Sequence, residues 1–380
     1  MKKTIGLYIH IPFCKSKCYY CDFLSKPNQE DYFQAYVRAL EKEMLAYHKL
    51  LSDYVVTSIF IGGGTPTILP IELLQKIGIR LGELFFIDPK AEFTIESNPG
   101  TLSFEALSGL KKTGVNRLSI GLQAFQNRLL KKLGRAHTLE QFLQNYENAL
   151  KVGFDNINID LMFGLPEQET RDWEESLLKV IQLDPPHLSC YSLILEEGTP
   201  FFRMWDQGHL LLPTEDDTLQ MYRKCIQMLT DAGYEHYEIS NFAKPQRKCK
   251  HNLRYWNCDE YVGLGVGAHS YFQGIRYHNQ ENLAQYIKES YCLQKLQKDP
   301  QAIHAKEAYE EYMFLGLRLI QGVSKEEFYH RFQRSMEEVY GSVLQKLVKL
   351  GLLKEEENNV KLTKRGLEVG NVVFEQFLLE

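Results

Sequence analysis

The sequence predicts an α/β protein: a partial (βα)6 TIM-type barrel over residues 1–240, a connecting region over 241–304, and a smaller, mainly α, winged-helix-like domain over 305–380. Three observations predict it. Strand and helix signals alternate about six times before residue 240, the signature of a parallel sheet built from βα units. Glycine and polar residues recur just after the strands, at the edge where parallel α/β folds bind ligands. From about Ala305 the chain turns helical and charged and closes with a short hairpin signal. The pattern favours an open barrel without forcing that choice over a doubly wound sheet.

The elements follow in order. Ile5–Ile11 is an apolar run with a cysteine-rich loop behind it. Over Asp31–Leu51, Phe33, Val37, Leu40, Met44 and Leu45 share one helical face. Ser58–Ile61 is a strand ending in Gly62-Gly63-Gly64, and Ile71–Phe85 is helical. Glu92–Ser97 is a strand closed by the turn signal Asn98-Pro99-Gly100. Ser103 caps a helix to Thr113. Strands at Arg117–Leu122, Asn156–Met162, His187–Leu193 and Tyr234–Ile239 alternate with helices at Thr138–Val152, Thr170–Leu183 and Glu215–Ala232. Lys244–Cys258 shows no clear period, and Gly263–Gly267 is glycine-rich. Ser324 caps a helix over Lys325–Phe332, Glu337–Leu350 is another, and Leu352–Lys354 with Val360–Leu362 reads as a hairpin.

Composition narrows the function. At 380 residues, a net charge of −5 with no basic block argues against nucleic acid as the main ligand, a local basic groove aside. Met1-Lys2-Lys3 resembles a signal-peptide start, but His10, Pro12 and Cys14 interrupt the apolar stretch. No apolar run is long enough to span a bilayer. The expectation is a soluble cytoplasmic protein whose scattered Cys190, Cys225, Cys249, Cys258 and Cys292 are free thiols.

Cys14, Cys18 and Cys21 carry the chemistry. A Cys-x3-Cys-x2-Cys run supplies three thiolates, whereas a full cubane takes four cysteines, so one iron is left for an outside ligand. A zinc site would want paired Cys-x2-Cys units and four ligands; one such pair is present here. The glycine run Gly62–Gly64 with Thr65-Pro66-Thr67 exposes backbone to a ligand. No Gly-Lys-Ser/Thr follows, which argues against a phosphate loop. Glu96, Gln123, Arg135 and Asp160 fall at later strand ends or loops on the same rim.

The cysteine run after a strand, with the glycine motif and barrel pattern, resembles the radical SAM superfamily over roughly residues 1–240. That resemblance implies a [4Fe–4S] cluster on Cys14, Cys18 and Cys21, whose open iron is chelated by S-adenosylmethionine and through which the sulfonium is cleaved to a radical. By resemblance to the coproporphyrinogen-oxidase-like members, Tyr8, Tyr20, Gly63, Gly64, Thr65, Glu96, Gln123, Arg135 and Asp160 match cofactor-contacting positions. The oxygen-independent coproporphyrinogen III oxidase carries a further cysteine two positions after the third and an N-terminal extension. Here Phe23 stands at that position and the first strand begins at residue 5.

The segment His251-Asn252-Leu253-Arg254-Tyr255-Trp256 matches the His-Asn-x-x-Tyr-Trp signature of heme chaperones within that family. The resemblance implies heme as cargo, a heme-acceptor protein of the respiratory chain, an electron donor to the cluster, and cluster-dependent homodimerisation. Chemically, His251 offers an imidazole to iron, Tyr255 and Trp256 offer flat faces, and Arg254 offers a guanidinium to a propionate. The bland alternative is that His251 and Asn252 close a loop while Tyr255 and Trp256 pack as core. Cys249, Cys258, His236, His269 and His278 are further ligand candidates. The Gly263–Gly267 run is not a dinucleotide fingerprint and is expected to form a tight loop facing porphyrin or cofactor. Two functions follow: a heme-binding and transfer protein, or an oxidase that decarboxylates propionates.

Overall fold

The computed structural model describes residues 3–379; Met1 and Lys2, the start of the basic opening, lie outside them. Twelve strands make one sheet. In chain order they are β1 (Lys3–Ile11), β2 (Tyr54–Gly63), β3 (Ile87–Ser97), β4 (Arg117–Gln123), β5 (Ile157–Phe163), β6 (His187–Ser192), β7 (Glu235–Glu238), β8 (Asn241–Ala243), β9 (Tyr261–Leu264), β10 (His269–Phe272), β11 (Ile275–Asn279) and β12 (Gln297–Ala302). Their spatial order is β12-β11-β10-β9-β1-β2-β3-β4-β5-β6-β8-β7. Strands β1 to β6 are parallel and sequential, as alternating βα units require. Every residue of β4 is buried, as expected for strands covered on both faces.

Two departures from expectation lie at the edges. The sixth parallel strand is followed by an antiparallel hairpin, β7 and β8, docked on β6. On the other side β9 pairs parallel with β1, and β10 to β12 continue antiparallel. The segment expected to connect two domains therefore adds five strands to the first one. Its Val262, Leu264, Tyr277 and Tyr286 join the same apolar core as Ile9, Ile59 and Ile120.

The helices are set by local chemistry. Thr138 and Gln141 form a reciprocal capping box for the helix Leu139–Val152, which stops at Gly153 with φ of 90°. Ser103 and Ser324 accept from the backbone amides of Ala106 and Glu327, capping their helices as the sequence suggests. Trp173, on the helix Thr170–Leu183, is fully buried, lies tilted against the Phe163 ring at 5.3 Å and donates its indole N–H to the Met221 carbonyl at 2.9 Å. Trp173→Ala is expected to cost about 3–5 kcal/mol, read as a lowered denaturant midpoint with the slope unchanged.

The C-terminal part has its own core around Met313, Phe328, Tyr340 and Phe377. Helices Ala305–Gly316, Lys325–Phe332 and Met336–Lys349 pack with a three-stranded sheet of Val323–Ser324, Asn359–Leu362 and Leu353–Glu356. This is the expected helix-helix-hairpin arrangement. It is tied to the sheet domain by Arg276–Glu311, Arg223–Glu368 and the Glu238–Leu319 bridge. No helix among the described residues is long and apolar enough to cross a membrane.

Candidate functional site

The cysteine loop leaves β1 at the C-terminal edge of the parallel strands. It is anchored at both ends: the Lys26 amide donates to the Pro12 carbonyl at 2.8 Å, and the His10 Nε2–H donates to the Leu24 carbonyl at 2.8 Å. The other ring nitrogen of His10 therefore accepts from the Tyr8 hydroxyl, 3.0 Å away. The middle is held by Tyr19, whose amide bonds the Leu133 carbonyl at 3.1 Å. This fixes Cys14, Cys18 and Cys21 on one short loop, with all three thiols free of disulfides.

The glycine turn packs directly behind Cys14. The amides of Gly64 and Thr65 donate to the Ile11 and Phe13 carbonyls at 2.8 and 2.7 Å. A Cβ on Gly64 would lie 2.5 Å from the Phe13 oxygen and 2.9 Å from the Cys14 sulfur. The Thr65 hydroxyl points at the Cys14 sulfur at 3.7 Å, and the Arg135 guanidinium at the Cys18 sulfur at 3.5 Å. Donors aimed at sulfurs suit thiolates and cluster sulfides, which need hydrogen bonds to hold negative charge. Among the described residues no three His, Cys, Asp or Glu side chains converge on one ion. Three thiolates with no fourth ligand in the run suit an open cluster, whereas structural zinc takes four ligands. Burial pushes the Cys21 thiol up to about 11, so any metal it bound as a thiolate would displace that proton.

Below the loop lies a cavity of about 250 Å3 bordered by Tyr8, Gly63, Glu96, Asp160, Tyr191 and His251, among others. Glu96 accepts from the Gly63 amide at 3.1 Å. Asp160 accepts from Asn158 at 2.7 Å and Ser119 at 3.1 Å. Burial, then the nearby Asp160 charge, pushes Glu96 up to about 8, and burial raises Asp160 as well. Two desolvated carboxylates at one wall favour a ligand bearing cationic or hydroxyl donors. Because Glu96 holds its proton above its ordinary 4.5 when folded, folding takes up a proton between these values. Its contribution to the ligand-free protein is full below about 4.5 and is lost as pH rises through about 8. Glu96→Gln is expected to flatten that decline in melting temperature measured across the same pH series.

The remaining sequence candidates fall on the same rim. Arg135 bonds the Gly121 carbonyl at 2.7 Å and the Tyr20 hydroxyl at 3.4 Å, and also contacts Asn98. Gln123 ends β4 beside a bulge with φ of +74°, the kind of backbone outlier that gathers at functional sites. Asn98 is the residue the sequence reading passed over as a turn signal. It donates to the Thr65 hydroxyl at 2.7 Å and joins the glycine turn to Arg135. Its place two residues after Glu96, beyond the end of the strand, was the available signal. Arg117 and Tyr191, which also border the cavity, gave none.

The His-Asn-x-x-Tyr-Trp segment, read as aperiodic, forms a short helix, Lys250–Trp256. Glu92 accepts from the amides of Lys250 and His251 at 3.0 and 3.1 Å, a carboxylate capping a helix start. His251 is 1% exposed. Its ring nitrogens meet Ser58 Oγ and the Tyr255 hydroxyl, each at 2.9 Å, and burial pushes its pKa down to about 3. Arg254 runs past Gly6 to the Thr57 hydroxyl at 2.7 Å and the Glu260 carbonyl at 3.1 Å. Trp256 faces Arg318 at 4.4 Å. Arg254 and Trp256 thus bind protein groups, while His251 and Tyr255 border the cavity. The Gly263–Gly267 run has a structural cause. Buried Glu43 accepts from the Gly265 amide at 2.8 Å, and a Cβ there would strike Tyr36 and the His10 carbonyl.

Fold and site define the class first: residues 8–180 match the radical SAM superfamily model, and residues 303–369 match the HemN C-terminal domain. The architecture superposes on coproporphyrinogen III oxidase (HemN) from Escherichia coli with a TM-score of 0.87 at 24% identity, covering 99% of this chain and 90% of that one. Heme chaperone HemW of Bacillus subtilis is 41% identical over 376 residues, covering 98% of this chain and 99% of its own. Heme chaperone HemW of Lactococcus lactis is 39% identical over 380 residues, covering 100% and 99%. The chain belongs to the HemW family of radical SAM proteins.

Proposed function

We infer that this chain is a heme chaperone, which binds heme and transfers it to an acceptor protein. The observation that carries the reading is full-length likeness to proteins named heme chaperone HemW. It is supported by Phe23, 61% exposed on the cysteine loop, where the oxidase has a further cysteine.

On this reading Cys14, Cys18 and Cys21 hold a [4Fe–4S] cluster, as the radical SAM family implies. Tyr8, Tyr20, Gly63, Gly64, Thr65, Glu96, Gln123, Arg135 and Asp160 surround S-adenosylmethionine. When bound, the pair supplies one-electron chemistry at the open iron. The protein's own groups orient it: Glu96 and Asp160 accept from its amine or ribose hydroxyls, and Arg135 lends positive charge to the cysteine loop. Tyr255 offers heme a face, and His251 holds its hydroxyl at 2.9 Å, while Arg254 and Trp256 are engaged by Thr57, Glu260 and Arg318. The cluster-bearing unit spans residues 1–240 with 241–304 as its continuation, and 305–380 forms the C-terminal unit. The partners this reading calls for are a heme acceptor of the respiratory chain, an electron donor and a second copy of the chain bound in a cluster-dependent way. Eight free thiols suit a reducing cytoplasm.

An anaerobic comparison tests the reading. The reconstituted protein, given S-adenosylmethionine and reductant, is assayed for coproporphyrinogen turnover beside a heme titration. Stoichiometric heme binding without turnover is expected. Turnover at enzymatic rates would overturn the chaperone reading in favour of the oxidase.

A further inference from the structure

A second cavity, of about 630 Å3, opens beside the first. The two share Tyr8, Phe23 and Tyr255. Its volume falls in the ordinary range for ligand pockets, about 300–1,000 Å3. Tyr261 on β9 and Tyr271 on β10 extend the aromatic wall, and Phe314 and Leu315 close it from the C-terminal domain. Flat apolar surface on several sides suits a large planar ring.

His269, at the start of β10, borders this cavity and is exposed. Its ring nitrogens have no hydrogen-bond partner among the described residues; its contact is a stack on His278 at 5.4 Å. The cavity's other histidine is saturated, since His10 is bonded through both nitrogens. His251, next door, is likewise saturated. We propose that heme binds in this 630 Å3 cavity with the His269 imidazole as its axial iron ligand, an inference that rests on the heme-chaperone reading.

The surroundings agree. Burial, then neighbouring His278, lowers the His269 pKa, keeping the ring in the neutral form that binds iron. Cys258 also lines the cavity, but burial pushes its thiol up to about 12, so it is a poor competitor as a thiolate. The loop packs closely on the cysteine loop: a Cβ on Gly267 would lie 2.3 Å from the Leu24 side chain. Asp22, Asp259, Glu281 and Glu311 put negative charge on the walls. Arg276 is engaged by Glu311. The apolar edge of the porphyrin therefore enters first and the propionates stay at the mouth.

Hemin titrated into the reconstituted full chain tests this, read by Soret absorbance and by electron paramagnetic resonance of the ferric iron. Wild type is expected to show an imidazole-ligated spectrum. His269→Ala is expected to lose that spectrum and bind about tenfold or more weakly, with its melting temperature kept because the side chain is exposed. Added imidazole is expected to restore the spectrum in that variant. A wild-type spectrum and affinity in His269→Ala would overturn the ligand assignment, most directly if His251→Ala loses them. Failure of wild type to bind hemin at all would instead overturn the chaperone reading.

Discussion

Replacing Cys14, Cys18 and Cys21 together by alanine is expected to abolish cluster loading while leaving the fold intact. Under anaerobic reconstitution iron should fall from about four atoms per chain to background, and the reduced-cluster paramagnetic signal should vanish. The reason the fold survives is that the loop is held without metal. His10 and Lys26 tie its ends, and Lys17 Nζ donates to the Phe23 carbonyl at 3.0 Å within it. The Phe201 amide bonds the Tyr19 carbonyl at 2.9 Å from outside. The core, from Ile5 to Leu296, lies beneath. Melting temperature and far-ultraviolet dichroism should therefore match those of the metal-free wild type. Retained iron with an intact cubane signal would place the cluster elsewhere.

Most of this architecture was legible because the central strands are buried on both faces. Leu118, Ile120 and Leu122 on β4, and Ile157, Ile159 and Leu161 on β5, are buried and recur at every second position, the period of a strand. Their helices carry side-chain caps that announce themselves, such as Thr138 with Gln141 and Thr214 with Asp217. Glu96, Gln123 and Asp160 could be placed along one rim because they lie on strands that were readable. What escaped depends on partners far away in sequence. Gln297–Ala302 is a mostly exposed edge strand with Asp299 and Pro300 in it, and only its pairing with β11 makes it one. Helix Lys250–Trp256 owes its start to Glu92, more than 150 positions earlier. The closure of His251 by Ser58 was equally invisible. An imidazole in a motif says nothing of whether its nitrogens are already taken, and that difference moves attention from His251 to His269.

Side chains added to the glycine turn are expected to give the second large effect, because nothing at Gly63 or Gly64 can give way cheaply. Gly63 has φ of +108°, and its added Cβ would sit 2.6 Å from the His10 ring. That ring is pinned by Tyr8 and the Leu24 carbonyl. At Gly64 the obstacle is backbone: the Phe13 oxygen already accepts from Thr65. The positive φ at Gly63 costs a side chain of order 1–3 kcal/mol. Overpacking adds about 1–3 kcal/mol at either site. Gly64→Val should therefore melt lower and, more tellingly, load less iron, since the displaced atoms include the Cys14 sulfur. Gly63→Ala should weaken S-adenosylmethionine binding by calorimetry, because the amide that Glu96 accepts from moves with it. Gly82 is the internal control. It lies exposed in the helix Ile71–Leu84, with nothing within 4 Å of an added Cβ. Gly82→Ala should stabilise the chain by about 0.8–1 kcal/mol through helix propensity and leave iron content unchanged. Equal losses of stability and iron at all three positions would mean the turn has no special relation to the cysteine loop.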